Sequence, residues 1–129
     1  QDAFVTDRAY DLASLLQDAR RDVSTATEAA CLRAYIAATG RDETTFRAVY
    51  ALMGAQRALR ILAVFARLCM AGGKPHYLDY APRVWSYLQR NLAHAALGPL
   101  AQIIAVAVPE PTAARCERVR EKCGTIQTR

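Results

Sequence analysis

Polar side chains recur along one side of an otherwise apolar stretch, residues 51–71. If this stretch is a helix, with about 100° between successive residues, Gln56, Arg57 and Arg60 share a single stripe. A guanidinium on a buried helix needs a carboxylate, a carbonyl or an anionic ligand, because leaving it unpaired costs several kcal/mol. These three residues are therefore the first candidates for binding chemistry.

Two interpretations of the stripe remain open. In one, the arginines are neutralised by carboxylates near the start of the chain, of which Asp11, Asp18 and Asp22 are the candidates. In the other, the three polar side chains line a cleft that binds a ligand. The two differ in their consequences, since removing a buried ion pair destabilises the fold whereas removing a ligand contact weakens binding.

The other reactive residues do not form a recognisable catalytic or metal-binding set. Cys31, Cys69, Cys116 and Cys123 contain no C-x-x-C pair, although the last two would share one face of a helix. We expect them to be small apolar residues that stay reduced. The two histidines form no Ser-His-Asp or Cys-His arrangement. The sequence therefore predicts no catalytic residue and no metal site.

The composition favours one all-α domain over residues 1–129. Hydrophobic residues make up 53% of the 129 residues and charged residues 22%, which excludes a disordered chain. Runs of β-branched residues, which are typical of strands, are nearly absent. No internal repeat is visible, so the chain is expected to form a single helical bundle.

Charge and hydropathy argue against two classes of partner. The net charge of +5 is spread along the chain, with no aromatic interleaving and no groove-reading motif, so nucleic-acid binding is not expected. The longest apolar run, residues 61–66, is bounded by Arg60 and Arg67 and is too short to span a membrane. We expect a cytoplasmic protein. Because the chain begins at Gln1, we also expect it to be part of a longer protein.

Capping and breaking residues divide the chain into five or six helices. Asp7 and Asp42 are candidate N-caps, and the spacing of Thr25 and Glu28 predicts a capping box. Gly40 is a natural helix end. The predicted helical segments are residues 8–20, 25–39, 43–71, a helix starting at Pro82, 100–108 and 113–123, with a loop at 72–80.

Several segments of the chain resemble one enzyme family. The string Tyr10-Asp11-Leu12-Ala13, together with Asp2-Ala3 before it, is similar to the segment after the magnesium-binding Asp of aminoglycoside phosphotransferase and choline-kinase-like enzymes. Residues 10–22, 50–62, 65–68 and 73–78 resemble a bacterial branch of that family. That branch consists of kinases that phosphorylate N-acetylmuramate or N-acetylglucosamine at the anomeric position.

The resemblance implies a fold and a set of site residues. The chain would be the C-terminal helical subdomain of a protein-kinase-like fold, in which Asp11 supports the catalytic loop from behind. The helices would form one wall of the acceptor-sugar site. The substrate-binding candidates on that wall are Gln17, Asp18, Arg21, Gln56, Arg57 and Arg60.

The chain lacks the other parts that phosphoryl transfer needs. There is no glycine-rich loop with its lysine, no catalytic Asp stretch and no pair of magnesium ligands. ATP and Mg²⁺ would therefore belong to the parent protein, with none bound to this chain alone, and its partners would be the sugar and an absent amino-terminal lobe. By itself the chain is expected to be inactive. The alternative is a non-catalytic helical module for interaction or dimerisation.

Overall fold

A computed structural model describes residues 5–126 of the chain, and this part is all-α. The expected number of helices is confirmed: six α-helices are present, and two short 3₁₀ helices lie on either side of the fourth. The α-helices are α1 (Ala9–Leu16), α2 (Thr25–Thr39), α3 (Glu43–Met70), α4 (Ala81–Leu92), α5 (Gly98–Ala107) and α6 (Ala113–Arg120). The motif residues Asp2 and Ala3 lie outside the described residues.

The 28-residue helix α3 is the central element of the bundle. It packs against α4 and α1, and its C-terminal half also contacts α6 and the 3₁₀ helix Pro75–Tyr80. Small side chains make this close packing possible, since Ala51, Ala55 and Ala58 are all at most 5% exposed. Helix α3 therefore carries three of the candidate site residues, Gln56, Arg57 and Arg60, and packs against α1, which carries Asp11.

Two clusters of buried side chains stabilise the bundle. The first joins the C-terminal half of α3 to α4, α5 and α6, with Phe65, Val84 and Leu88 among its members. The second joins α1 and α2 to the first turns of α3 through Leu32 and Phe46. Each cluster needs contributions from at least three helices, so no single helix buries its apolar face alone.

The helix ends show which capping predictions were right. Asp42 accepts a hydrogen bond from the amide of Thr45 at 2.8 Å and caps α3, and Gly40 ends α2 in the left-handed region at φ 64°, as expected. The capping box at Thr25 was wrong. Ser24 caps α2 by accepting from the amide of Thr27 at 3.1 Å. Glu28 is absent from this cap because its side chain is buried in the interior.

The structure also differs from expectation at α1, at the predicted loop and at α6. Helix α1 ends at Leu16, four residues early, because the chain turns there to bury Gln17. The segment predicted as a loop contains the 3₁₀ helix Pro75–Tyr80, in which Leu78 is buried against α3. Helix α6 ends at Arg120, so Cys123 lies in the following turn and does not share a helical face with Cys116.

Helix α3 also has the length and composition of a membrane-spanning helix. Its most apolar 18-residue window has a mean hydropathy of 1.3, and 33% of that window is buried within the bundle. The core helix of a globular protein meets the same criteria, so this single helix is weak evidence for a membrane. The sequence-based expectation of no membrane contact stays a prediction.

Candidate functional site

Four polar side chains meet in the interior, and each comes from a different part of the bundle. Gln17 follows α1, Glu28 lies in the first turn of α2, Tyr50 lies on α3 and Asn91 lies on α4. Each of these residues is at most 6% exposed. The Gln17 Nε2 group lies 3.0 Å from Glu28 Oε1, 3.3 Å from the Tyr50 hydroxyl and 3.2 Å from Asn91 Oδ1. We call these four residues the buried polar cluster.

Glycine at position 54 is required for this cluster to lie against α3. A Cβ at Gly54 would meet Asn91 Nδ2 at 2.4 Å and Gln17 Oε1 at 2.8 Å, both closer than packed atoms approach. The absence of a side chain therefore lets the two amide groups sit directly on the helix backbone. Gly54 acts through this close approach and does not interrupt α3, which continues to Met70.

The charge of Glu28 is compensated from two sides. The Tyr50 hydroxyl donates to Glu28 Oε1 at 2.6 Å, and Arg90 of α4 forms an ion pair with Glu28 Oε2. The Arg90 guanidinium also lies over the ring of Tyr87, 5.3 Å from its centroid. Burial, followed by the neighbouring Glu28 carboxylate, raises the pKa of Tyr50, so its hydroxyl stays protonated and remains a donor. A buried carboxylate is tolerated here because its oxygens have partners.

Arg57 lies beside the C-terminal end of α1. Its Nη2 donates weakly to the Ser14 carbonyl at 3.5 Å, and its Nε is buried without an acceptor among residues 5–126. Within those residues no carboxylate forms an ion pair with Arg57 or Arg60. Of the two interpretations of the stripe, the one in which Asp11, Asp18 or Asp22 forms ion pairs with these arginines is therefore wrong, because Arg57 reaches a backbone carbonyl and Arg60 faces outward.

The outward face of α3 carries the other two residues of the polar stripe. Gln56 and Arg60 are exposed, as are Leu52, Ala63 and Arg67 at helical spacing along the same face. Arg57, which follows Gln56 and is rotated about 100° from it around the helix axis, is half-buried. The three residues thus lie on neighbouring positions of α3, with Gln56 and Arg60 exposed and Arg57 half-buried between them and α1.

The segment after α1 supplies the remaining candidates. Asp18 is half-buried and pairs with Arg20, whose guanidinium donates to both carboxylate oxygens at 3.2 and 3.1 Å. The hydrogen bond from Arg20, with a smaller contribution from the charge of Arg57, holds the pKa of Asp18 below its usual value of 3.8. Arg21 is exposed next to this pair. Asp18 thus lies within electrostatic reach of Arg57, whereas Gln17 points into the interior.

Asp11 occupies the first turn of α1 and is exposed. A carboxylate in this position interacts favourably with the positive end of a helix. Its exposure leaves it able to accept hydrogen bonds from another segment or chain. The described residues do not include a loop that it supports.

Sequence reasoning missed three members of the buried polar cluster. Glu28 fitted a capping box by spacing, and Tyr50 fitted the apolar stripe of α3. Asn91 falls one residue before Leu92 on the buried side of α4, where Val84 and Leu88 are also buried. A polar residue within such a stripe is a usable signal, because a buried amide must find partners.

A cavity of about 320 Å³ opens beside the cluster. It lies between α2, α3 and α4, and its polar lining includes Glu28, Arg47, Arg90 and His94. Arg47 also pairs with Glu43 at 2.7 Å on the surface of α3. The described residues contain no group of three His, Cys, Asp or Glu side chains that could hold a metal ion.

Comparison with curated proteins identifies relatives of one kind. The chain is 50% identical over 101 residues to an N-acetylmuramate/N-acetylglucosamine kinase of Caulobacter vibrioides, a match that covers 78% of the chain and 28% of the relative. Proteins with the same name in Pseudomonas aeruginosa and Pseudomonas putida are 45% and 40% identical over 53 and 55 residues. No family model matches the chain. The chain is thus similar to sugar kinases and spans under a third of their length.

Proposed function

We propose that this chain is the C-terminal helical portion of an ATP-dependent amino-sugar kinase and that it forms one wall of the acceptor-sugar site. The single observation that carries the proposal is the 50% identity, over 101 residues, to the kinase of Caulobacter vibrioides. Both the N-acetylmuramate and the N-acetylglucosamine activities of that relative are therefore candidate activities of the parent protein.

The polar side chains of α3 and of the segment after α1 are suited to an amino sugar. Arginine pairs with carboxylates, and N-acetylmuramate carries one that N-acetylglucosamine lacks. Arg57 has an unused buried donor and only a weak backbone contact, and Arg60 is exposed beside it. We assign these two arginines to the acid group of the sugar. Gln56, Asp18 and Arg21 are assigned to its hydroxyl and acetamido groups.

Gln17 is assigned a positioning role. Its amide is engaged by Glu28, Tyr50 and Asn91 and is 4% exposed, so its partners are already within the bundle. These hydrogen bonds anchor Gln17, which directly precedes Asp18, and thereby hold the segment after α1 in place. Asp11, which is exposed at the start of α1, is assigned to support of the parent protein's catalytic loop, as the family resemblance implies.

The chemistry itself belongs to other parts of the parent protein. Phosphoryl transfer needs a lysine over the phosphates, a catalytic Asp and two Mg²⁺ ligands. We assign the Mg²⁺ ligands to the segment of the parent protein that carries the catalytic Asp. ATP and Mg²⁺ are expected to bind the parent, and this chain contributes orientation of the acceptor.

The test uses the complete gene product and both sugars. We expect ATP-dependent phosphorylation of N-acetylmuramate and N-acetylglucosamine. Arg57→Gln or Arg60→Gln should raise the KM for N-acetylmuramate by about tenfold, since a charged hydrogen bond is worth about 1.5–3 kcal/mol. The KM for N-acetylglucosamine should change less than about twofold because it has no carboxylate to lose.

Arg67→Gln is the matched control, because Arg67 is exposed two turns further along the same face of α3. The Arg67→Gln variant should have the same KM as the unsubstituted enzyme for each of the two sugars. No turnover with either sugar would reject the kinase assignment. Turnover with unchanged KM values in both arginine variants would reject only the assignment of the site.

A further inference from the structure

The last described residues of the chain are held against the C-terminal end of α3. The amide of Gly124 donates to the Cys69 carbonyl at 3.0 Å, and the amide of Ile126 donates to the Met70 carbonyl at 3.1 Å. Gly124 adopts φ 69°, a left-handed conformation that only glycine adopts at little cost, and it turns the chain back toward α3. Cys123, which precedes this glycine, is thereby placed beside Cys69.

The two cysteines pack in the same cluster of side chains but differ in exposure. Cys69 is fully buried and donates to the Val119 carbonyl at 3.6 Å, whereas Cys123 is half-buried. Burial, followed by a hydrogen bond with the Cys123 thiol, raises the pKa of the Cys69 thiol. Reagents in solution therefore reach Cys123 first.

The other two cysteines have different surroundings. Cys31 packs with the cluster between α1 and α2, and the thiol of Cys116 donates to the Pro111 carbonyl at 3.6 Å. Neither is held by the backbone hydrogen bonds that join residues 69 and 124. The fold therefore selects one pair among the four cysteines.

We propose that Cys69 and Cys123 form a reversible disulfide by exchange with a low-molecular-weight disulfide such as oxidised glutathione. The Cys123 thiolate attacks one sulfur of the reagent, and half of the reagent leaves as a thiol. The Cys69 thiol then loses its proton and attacks the sulfur of Cys123, which releases the second half as a thiol. Two electrons and two protons pass from the cysteines to the reagent.

The disulfide would fasten the segment that follows α6 to the end of α3. This region also bounds a cavity of about 370 Å³ with an apolar lining, to which α3 contributes Leu62 and Ala66 and α6 contributes Cys116 and Val119. Since the Cys69–Cys123 bond lies just beyond α6, it would keep α6 against α3. Oxidation would therefore hold this wall of the cavity in place.

Peptide mapping tests the proposal on the full 129-residue chain. The reduced protein is incubated with oxidised glutathione, quenched with acid, alkylated and digested with trypsin. The sequence places each cysteine in its own tryptic peptide, and residues 68–83 and 123–129 carry the proposed pair. We expect a linked 68–83/123–129 species to become the main form of both peptides, and reduced glutathione to reverse it.

Cys31→Ser is the matched control and should give the same linked species. Cys123→Ser should abolish it, and a protein unfolded in urea should give mixed pairings because the backbone hydrogen bonds no longer select one. Two results would overturn the proposal: glutathione retained on Cys123 with no linked species, or pairing of Cys123 with Cys116 in the folded chain at equal yield.

Discussion

The side-chain amides of Gln17 and Asn91 pair reciprocally in the interior of the bundle. Asn91 Nδ2 donates to Gln17 Oε1 at 2.8 Å, and Gln17 Nε2 lies 3.2 Å from Asn91 Oδ1. The two residues are 74 positions apart in the chain, and their pairing joins the end of α1 to α4 across Gly54 of α3. Both amides are desolvated, so their hydrogen bonds depend on the precise spacing of three helices.

Gly54→Ala is expected to destabilise the chain by about 1–3 kcal/mol, the usual cost of overpacking a core. The new methyl group would displace the Gln17–Asn91 pair, since it would lie 2.4 Å from Asn91 Nδ2. Urea unfolding measures the change. Gly98→Ala is the comparison variant: nothing lies within 4 Å of an added Cβ at Gly98, so its only cost is the strain of a helical side-chain-bearing residue before Pro99, and it should destabilise the chain less than Gly54→Ala. Equal stability of the two variants would contradict the packing role of Gly54.

Tyr50→Phe should cost about 1–3 kcal/mol in the free energy of unfolding. The substitution keeps the ring but removes the hydroxyl that donates to the buried Glu28 at 2.6 Å, so the carboxylate loses a donor. Thermal and urea unfolding check this value. Tyr77→Phe, in a half-buried ring that stacks on Phe65, is the control and should stay within about 0.5 kcal/mol. If both variants were equally stable, the Tyr50 hydrogen bond would contribute nothing.

Protonation of the Asp7 carboxylate should lower the free energy of unfolding of the chain at acid pH. Hydrogen bonds from Arg41 and from the Ala9 amide hold the pKa of Asp7 below its usual value of 3.8. A carboxyl whose pKa is lower in the folded state stabilises the fold above its unfolded pKa, and this contribution disappears as the pH falls through the folded pKa. Asp7→Asn should therefore be less stable than the unsubstituted chain at pH 7.

The difference for Asp7→Asn should narrow as the pH falls from about 4 toward 2, since both forms are then neutral at this position. Unfolding midpoints measured at several pH values test the trend. Asp22→Asn, in an exposed side chain, is the comparison variant. If the stability difference between Asp7→Asn and the unsubstituted chain stayed constant down to pH 2, Asp7 would act through its shape and not through its charge.

Arg57→Ala and Arg60→Ala should differ in stability. Arg57 is half-buried and touches the Ser14 carbonyl, so its removal should cost about 1 kcal/mol through lost packing and one weak hydrogen bond. Arg60 is exposed, and its removal should change stability by less than about 0.5 kcal/mol. Urea unfolding of the two variants measures both changes in the free energy of unfolding. If Arg60→Ala were the more destabilising of the two, the assignment of Arg60 to the outward face of α3 would be wrong.

Much of the fold follows from local signals in the sequence. Asp42 predicts the start of α3 and Gly40 the end of α2, because these residue types satisfy helix ends without distant partners. The stripe of Gln56, Arg57 and Arg60 depends only on helical periodicity, and the structure brings the three to one side of α3. The resemblance to amino-sugar kinases was also carried by contiguous strings, and the relatives bear that name.

The partners of the buried polar side chains and of the thiols depended on how the helices pack against one another. Glu28 fits a cap by spacing, yet it is buried because α3 and α4 bring Tyr50 and Arg90 to it. Cys123 is 54 residues from Cys69, and only the turn at Gly124 places them together. Periodicity and capping act over a few residues, so the sequence by itself determined the helices and their polar faces. The partners of buried polar groups come from elsewhere in the chain, so only the tertiary structure decided the amide pair, the ion pair and the thiol pair.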